Sequence, residues 1–369
     1  MTGEGYNTAV MDMVWLAGCA VRGETPDHSR AEKIDLSELY KVSERHMLSA
    51  AVSAALAAAG IRDSDFLQAE AKAKHKNALL DADRRELTAC LDQRGIWYMP
   101  LKGAVIKDLY PAYGMRQMSD NDILIDPSRE DEVREVMENL GFETVRFGVS
   151  NHDVYHKLPV SNFEIHTSLF DDYRNKKLYE YYKNIEDRLI KGAGSEKRFT
   201  AEDFYVYMTA HEFKHYSGSG TGIRSLLDIY VYLRRYKDEL DFGYIDRELE
   251  KLEIREFEKQ NRSLSFCLFD GKQLTGDQRA MLDYMGNSGT YGTQANSVRN
   301  QIERQGRLGF FIKKTFLPYR LMLNNYPVLK KVPVLLPLMW IVRLVTAIIV
   351  KPKKVLFQLK AVLRRFKDQ

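Results

Sequence analysis

The sequence predicts an α+β fold in which a small β-strand region lies between two longer helical regions. Helical patterns dominate the chain from Leu36 to about Arg94 and again from Leu178 to about Phe311. Short β-branched or aromatic runs separated by turns fill the interval from Ile96 to about Leu169. With 369 residues and 44% hydrophobic content, the chain is long enough for two or three structural units.

The N-terminal helical region is expected to cover residues 1–94. An alanine-rich run from Leu48 to Ala59 ends at Gly60, and Ser64 begins a long charged stretch, which is the pattern of two successive helices. The apolar stretch from Met11 to Val21 contains an acid and lacks a basic lead-in. We therefore expect no cleaved signal peptide.

The strand region is expected to cover residues 95–172, with one clear helix from Ser128 to Leu140 that Gly141 stops. A second helical region is expected over residues 173–312. It includes helices from Ala201 to Tyr216 and from Ile223 to Tyr236, divided by the flexible stretch from Ser217 to Gly220.

The three cysteines, Cys19, Cys90 and Cys267, lie far apart in the sequence. This spacing excludes a disulfide scaffold and a cysteine-rich zinc module. It is compatible with a reducing compartment, so a cytoplasmic location is expected.

A basic, apolar tail is expected over residues 313–369. It carries thirteen Lys or Arg residues against one acid, so its net charge of +12 leaves −8 for the rest of a chain whose total is +4. The run from Val332 to Val350 is interrupted by one charge, Arg343, and a second apolar and basic segment runs from Val355 to Phe366.

This composition predicts helices that lie in a membrane interface, which would place the protein peripherally at the inner face of the membrane. Packing on the protein's own body or on a partner protein, and a helix that spans the bilayer, are the alternatives. Nucleic acid is a less favoured partner because the long aliphatic runs need burial.

Two aspartates give the strongest chemical signal. Asp120 and Asp122 are two residues apart at the start of a β-branched run, so in a strand their carboxylates would project from the same face, about 6–7 Å apart at the backbone. Carboxylates in this arrangement suit Mg²⁺ or Mn²⁺ that also binds substrate phosphates. Without further support, the same residues could form a polar turn before a strand.

A third carboxylate is available in another strand-like run, where Glu164 alternates with apolar residues and shares a face with His166. Upstream, Lys102 and Gly103 lie where a strand gives way to a short helix, so backbone N–H groups and the lysine charge could hold a phosphate. Arg116 could neutralise charge on a triphosphate or on departing pyrophosphate.

These motifs resemble the nucleotidyltransferase fold of the DNA polymerase β type, and more closely a group of uncharacterised bacterial nucleotidyltransferases. The resemblance rests on Leu101-Lys102-Gly103, on the stretch from Arg116 through Ser119 to Asp122, and on Glu164-Ile165-His166. It covers about Leu87 to Phe170. The broader superfamily usually has Gly-Ser at the phosphate-holding turn, where this chain and the closer group have Lys-Gly.

The resemblance implies a small mixed sheet and a Mg²⁺ or Mn²⁺ site made by Asp120, Asp122 and Glu164, with Glu164 as a candidate general base. It implies transfer of a nucleoside monophosphate from an NTP to an acceptor hydroxyl or phosphate on a small molecule, glycan or protein. Lys102, Gly103, Arg116 and Ser119 are the implied phosphate-binding residues. An alternative is a non-catalytic nucleotide-binding module at a membrane assembly.

A competing motif, His211-Glu212-Phe213-Lys214-His215, matches the H-E-x-x-H pattern of zinc peptidases. The third histidine of the longer pattern is missing, because Thr221 stands at its place. The resembled nucleotidyltransferases also carry two histidines on a helix, followed by an arginine and an aspartate on the next. That resemblance implies that His211, His215, Arg224 and Asp228 line or support the nucleotide site, and His166 is expected to pack beside it from its strand. The alternatives are that the two helix histidines are structural, or, less favoured, that the chain is a zinc peptidase with Asp228 or Glu239 as the third ligand.

Overall fold

The protein is described here from a computed structural model, which covers residues 3–363. The predicted α+β class is confirmed: a small mixed sheet is flanked by helices on both sides in sequence. The chain divides into two compact units. The first comprises the chain up to Lys214 together with Thr221–Thr290, and the second comprises His215–Gly220 and the chain from Tyr291 onward.

Five helices precede the sheet: α1 (Gly3–Arg22), α2 (His28–Ala31), α3 (Leu36–His46), α4 (Ser49–Ala58) and α5 (Ser64–Arg94). The long helix α5 begins where the Asp63 side chain accepts hydrogen bonds from the first-turn backbone, and it ends at Gly95 in the left-handed conformation. The apolar N-terminal stretch is part of α1, where Met13, Leu16 and Ala17 are fully buried.

The sheet region contains β1 (Tyr98–Pro100), α6 (Lys102–Ile106), β2 (Asn121–Ile125), α7 (Glu130–Asn139), β3 (Glu143–Arg146), β4 (His152–Lys157) and β5 (Ser161–His166). The strand order is β1-β2-β5-β4-β3. Only β2 and β5 pair in parallel, and the other three pairings are antiparallel. The predicted helix from Ser128 to Leu140 is present as a 3₁₀ turn, Pro127–Arg129, followed by α7.

The two faces of this sheet differ in chemistry because side chains alternate along each strand. One face is apolar: Ile123, Tyr155, Phe163 and Ile165 are buried against α5 and α7. The opposite face of β2, β5 and β4 carries Asp122, Glu164 and ionisable neighbours, which leaves charged groups on the side of the sheet away from that core.

The rest of the first unit is largely helical, with a small two-stranded sheet. Its elements are α8 (Lys176–Tyr182), β6 (Ile190–Lys191), β7 (Lys197–Arg198), α9 (Ala201–Tyr216), α10 (Arg224–Tyr236), α11 (Phe242–Lys251), α12 (Arg255–Phe269) and α13 (Gly276–Ser288). The last two residues of α9 fall in the second unit. Helices α9 and α10 follow the predicted ranges closely.

The second unit contains α14 (Gln294–Thr315), α15 (Tyr319–Asn325), α16 (Leu336–Val350) and α17 (Pro352–Leu363). The end of the predicted second tail segment, residues 364–366, lies outside the described residues. The segment Pro333–Val350 is long and apolar enough to cross a membrane by length and composition, and none of it is buried. The four-part division of the chain predicted from sequence stays a prediction.

Candidate functional site

The register of the strands brings two acids and two histidines together on the polar face of the sheet. The parallel pairing of β2 with β5 sets Asp122 beside Glu164. The antiparallel pairing of β5 with β4 sets His166 beside His152. Four ionisable side chains from three neighbouring strands therefore share one small area.

The distances show direct contact within this group. His166 Nε2 lies 3.1 Å from Asp122 Oδ1 and 3.7 Å from Glu164 Oε2. His152 Nε2 lies 3.5 Å from Glu164 Oε2, and the two imidazole rings are 5.0 Å apart. His152, Glu164 and His166 each offer one ligand atom, and these three atoms lie within 4.8 Å of one another.

Asp120 lies immediately before β2, so it is at the edge of this group. Burial, followed by repulsion from Asp122 and then from Glu164, raises the pKa of Asp120 to about 7. Burial and Asp122 also raise the pKa of Glu164. Burial alone would raise the pKa of Asp122, but the hydrogen bond and charge of His166 bring it below the ordinary value. The three predicted acids thus act on one another electrostatically.

Three basic side chains interact electrostatically with the acids, and two of them, Lys214 and Lys76, were not selected by sequence analysis. Burial lowers the pKa of Lys214 on α9, and attraction to Asp122 and Glu164 opposes that effect. Lys76 on α5 and the predicted Arg224 both favour the ionised form of Asp120. Positive charge of this kind binds phosphate groups.

Arg116, one of the predicted phosphate-binding residues, lies in a buried ion pair. Its Nε and a terminal nitrogen donate to the two oxygens of Asp228 at 2.8 and 2.9 Å. The Tyr110 hydroxyl also donates to Asp228, at 2.9 Å. Burial would raise the pKa of Asp228, yet the Arg116 charge lowers it to about 2. Arg116 and Asp228 therefore form a pair within the protein interior.

Lys102 and Gly103 begin the short helix α6, directly after β1. Burial lowers the pKa of Lys102, while Asp228 and then Glu212 oppose that change. A methyl group added at Gly103 would lie 2.8 Å from Met118 Cε. Packing on Met118 therefore accounts for a glycine at position 103, and Lys102 brings positive charge next to the pair formed by Arg116 and Asp228.

Two further predicted residues lie near Met47, at the end of α3. The Ser119 hydroxyl is 3.6 Å from Met47 Sδ. Arg224 is half-buried, and it donates to the backbone carbonyl of Gln117 at 2.9 Å. These contacts hold the loop that leads into Asp120.

The three residues of the H-E-x-x-H motif differ in burial and in their neighbours. Glu212 is buried, its pKa is raised by burial, and it accepts a hydrogen bond from Asn261 at 2.7 Å. The His211 ring lies 6.0 Å from the Tyr207 ring, while His215 is exposed and belongs to the second unit. In the described part of the chain, the group close enough to hold a metal is His152, Glu164 and His166, which includes neither histidine of the motif.

Sequence reasoning missed His152, Lys214 and Lys76. His152 begins a run in which Asp153 and Tyr155 are buried and the alternate residues are less buried, so a strand with a polar face could have been recognised there. The pairing of His152 with His166 on β5 could not have been predicted, because it depends on the tertiary register of the two strands. Lys214 occupies a variable position of the H-E-x-x-H motif, so the motif gave no reason to expect its charge at the site.

One comparison with known proteins identifies a family. A family model described as an uncharacterised nucleotidyltransferase matches residues 32–270, which is well over half of the chain. This range includes the whole sheet, the acids and the helices α9 and α10. The search of curated proteins and the search of solved structures gave no significant match.

Proposed function

From the premise that this chain belongs to the uncharacterised nucleotidyltransferase family, and is therefore an enzyme that transfers a nucleoside monophosphate from an NTP, we propose that Asp120, Asp122 and Glu164 form its divalent-metal site. Nucleotidyltransferases typically use divalent metals. Mg²⁺ or Mn²⁺ would be the ion, since both accept carboxylate oxygen ligands and leave positions for phosphate oxygens.

The observation that carries this proposal is the strand register, which sets Asp122 beside Glu164 with Asp120 directly before β2, so that carboxylates of like charge lie close together. Burial and the neighbouring carboxylates raise the pKa of Asp120 to about 7, so the group is unfavourable when fully ionised. A divalent cation would remove that repulsion. The donor set therefore fits the metal that the family implies, and the bound ion would polarise the phosphate oxygens and neutralise developing charge.

The remaining roles follow from position. In the transfer, the acceptor oxygen bonds to the α-phosphorus, the bond to the bridging oxygen breaks, and pyrophosphate leaves. Glu164 is proposed to take the acceptor proton, because burial and Asp122 move its pKa toward neutrality. Lys214, Arg224 and Lys102 are proposed to neutralise the triphosphate.

We assign Arg116 a positioning role. Two of its nitrogens are engaged by Asp228, and the third lies 3.0 Å from Met118 Sδ. This pair ties the loop before β2 to α10, so it supports the location of Asp120. The acceptor is proposed to be a hydroxyl or phosphate on a small molecule, a glycan or a protein.

The test is incubation of the purified full chain with each α-³²P-labelled NTP, Mg²⁺ and a cell extract. The wild-type protein is expected to label one class of acceptor and to release pyrophosphate. Asp122→Asn is expected to lower the rate by at least about 1000-fold, because an acid of the metal site is lost. Asp131→Asn, an exposed acid on α7, is the matched control and is expected to keep the wild-type rate.

The contrary outcomes are distinct. An unchanged rate in Asp122→Asn would contradict the proposed metal site. Nucleotide binding without labelled product or pyrophosphate, for all four NTPs, would favour the non-catalytic binding module instead.

For the second unit, we propose that helix α16 lies on an anionic membrane surface at the cytoplasmic side. Trp340 Nε1 donates to the Leu317 carbonyl at 2.8 Å, and Arg343 donates to the Thr315 carbonyl at 3.0 Å, so these side chains point toward the end of α14. Ile341 and Ile348 are 60% and 56% exposed. Helix α16 thus has one face packed within its unit and one apolar face uncovered.

Charge and length favour an interfacial position over a spanning one. Five lysines flank α16: Lys330, Lys331, Lys351, Lys353 and Lys354. Each contributes about 1 kcal/mol of attraction to an anionic surface. The fifteen residues of α16 correspond to about 22 Å of helix, so the apolar segment Pro333–Val350 approaches the roughly 30 Å hydrocarbon core only when its 3₁₀ turn, Pro333–Leu335, is included.

Vesicle sedimentation of the full chain tests this proposal. Binding to phosphatidylcholine vesicles is expected to increase at least about tenfold when phosphatidylglycerol is included, and to fall at high salt. Ile341→Asp should abolish binding, whereas Leu308→Asp, at an exposed leucine of α14, should not. Absence of binding would contradict the proposal, and release by detergent alone would indicate a spanning helix.

A further inference from the structure

Two histidines lie among the acids of the candidate site, and the proposed Mg²⁺ chemistry does not use them. His152 and His166 come from adjacent strands, and Glu164 is within 3.7 Å of the Nε2 atom of each. The side chains of His152 and His166 are 21% and 12% exposed, so both rings are largely removed from water. A site for Mg²⁺ alone has no need of imidazole, because that ion prefers oxygen ligands.

The structure presents nitrogen lone pairs in this group. Arg146 donates a hydrogen bond to His152 Nε2, which makes that nitrogen an acceptor and the ring neutral. Neutral imidazole is the form that binds metal ions.

We infer that His152, Glu164 and His166 form a mixed nitrogen and oxygen site for one transition-metal ion of the Zn²⁺ type, next to the carboxylate site proposed for Mg²⁺. Two imidazoles and one carboxylate are a ligand set that such ions accept and that Mg²⁺ does not favour. The assignment deepens the proposed function, since Glu164 belongs to both sites.

Binding requires two local changes. The Arg146 guanidinium has to leave His152 Nε2. The His166 Nε2 atom, 3.1 Å from Asp122, must carry no proton when it binds the ion. The Asp122 carboxylate, released from that hydrogen bond, then remains for the neighbouring ion.

The experiment measures metal binding with no turnover. The full chain is stripped of metal, and Zn²⁺ is titrated in excess Mg²⁺ by calorimetry, with the bound zinc counted by mass spectrometry. The Co²⁺-substituted protein gives a visible spectrum that reports nitrogen ligation. One Zn²⁺ per chain is expected, and His152→Gln should weaken its binding at least about tenfold and change the Co²⁺ spectrum.

Two histidine variants serve as controls. His156 lies on the same strand and the same face as His152 but is exposed, so His156→Gln should leave zinc binding unchanged. His211→Gln tests the competing H-E-x-x-H motif and should also leave it unchanged. Glu164→Gln is the second variant of the site, should His152→Gln prove poorly folded by circular dichroism, and it should weaken zinc binding similarly.

Each outcome decides the inference. Equal zinc affinity in the wild type, His152→Gln and Glu164→Gln would overturn it, and so would loss of zinc in His211→Gln. The labelled-NTP assay in Mg²⁺ separates this failure from failure of the proposed function. If the wild-type protein proves to have no zinc site but transfers label in Mg²⁺, only the present inference is overturned. Absence of transfer under all metal conditions would instead contradict the enzyme proposal.

Discussion

Two groups of charged side chains meet at the loop from Arg116 to Asp120, and neighbouring charges shift the pKa values of their acids in opposite directions. In the first group, Arg116 and Asp228 neutralise each other, and the pKa of Asp228 falls to about 2. In the second, Asp120 faces acids of its own sign, and its pKa rises to about 7. The first group is neutralised within the protein, while the second would be stabilised by the divalent cation proposed above. This difference separates a structural ion pair from a candidate active site.

The largest stability effect is expected from breaking the complete pair. Arg116→Met or Asp228→Leu alone leaves a buried charge without its partner, so each should lower the free energy of unfolding by about 3–5 kcal/mol. The double variant should recover most of that loss, because no buried charge then remains. Denaturant unfolding of the full chain measures all three values.

The matched control for this cycle is an exposed ion pair on α7. Arg134 Nε lies 2.9 Å from Glu138 Oε1 with both side chains well exposed, so Arg134→Met should cost no more than about 1 kcal/mol. If Arg116→Met cost as little as this control, Arg116 would have to be free for substrate, as its sequence position suggested.

A smaller effect of opposite sign is expected from the second group. Because the pKa of Asp120 is raised from 3.8 in folding, the folded state binds this proton more tightly than the unfolded state. The folded protein therefore loses stability as the pH rises from about 4 to about 7. Asp120→Asn removes the loss, so it should be more stable than the wild type by about 2 kcal/mol at pH 8.

The pH dependence distinguishes this cause from a general packing gain. The advantage of Asp120→Asn should vanish below about pH 4, where the acid is protonated in both states. Excess Mg²⁺ should also reduce it at pH 8, since the bound ion stabilises only the wild-type acids. A constant advantage at every pH, measured by denaturant unfolding, would contradict the repulsion argument.

The sequence predicted those features of the fold that depend on local signals. The start of α5 at Ser64 and the ends of α9 and α10 were predicted close to the positions observed. The mixed sheet was implied by the family resemblance, and the family is confirmed. The roles of Asp120, Asp122 and Glu164 stay predictions, although the structure shows that these acids influence one another.

The remaining features depend on contacts between distant parts of the chain. Arg116 and Asp228 are 112 residues apart, and no local pattern indicates that one would bind the other. His152 meets His166 through the register of β4 and β5. Glu212 matched a catalytic motif in sequence, yet it is buried and accepts a hydrogen bond from Asn261. In each case the side chain's partner was fixed by tertiary packing.

The smallest expected effect concerns Gly103, which packs against Met118 and Arg116. A methyl group there would approach Met118 Cε to 2.8 Å and an Arg116 nitrogen to 3.4 Å. Because the end of a methionine side chain can move, Gly103→Ala should cost only about 1–2 kcal/mol of stability. Met118→Ala added to Gly103→Ala should remove the clash, leaving the cost of the Met118 cavity alone, as a double-variant cycle in denaturant would measure.

A loss of nucleotidyl transfer that exceeds the stability loss, and that Met118→Ala does not restore, would instead indicate that substrate approaches the backbone at Gly103. Helix α6 would then belong to the substrate-binding site.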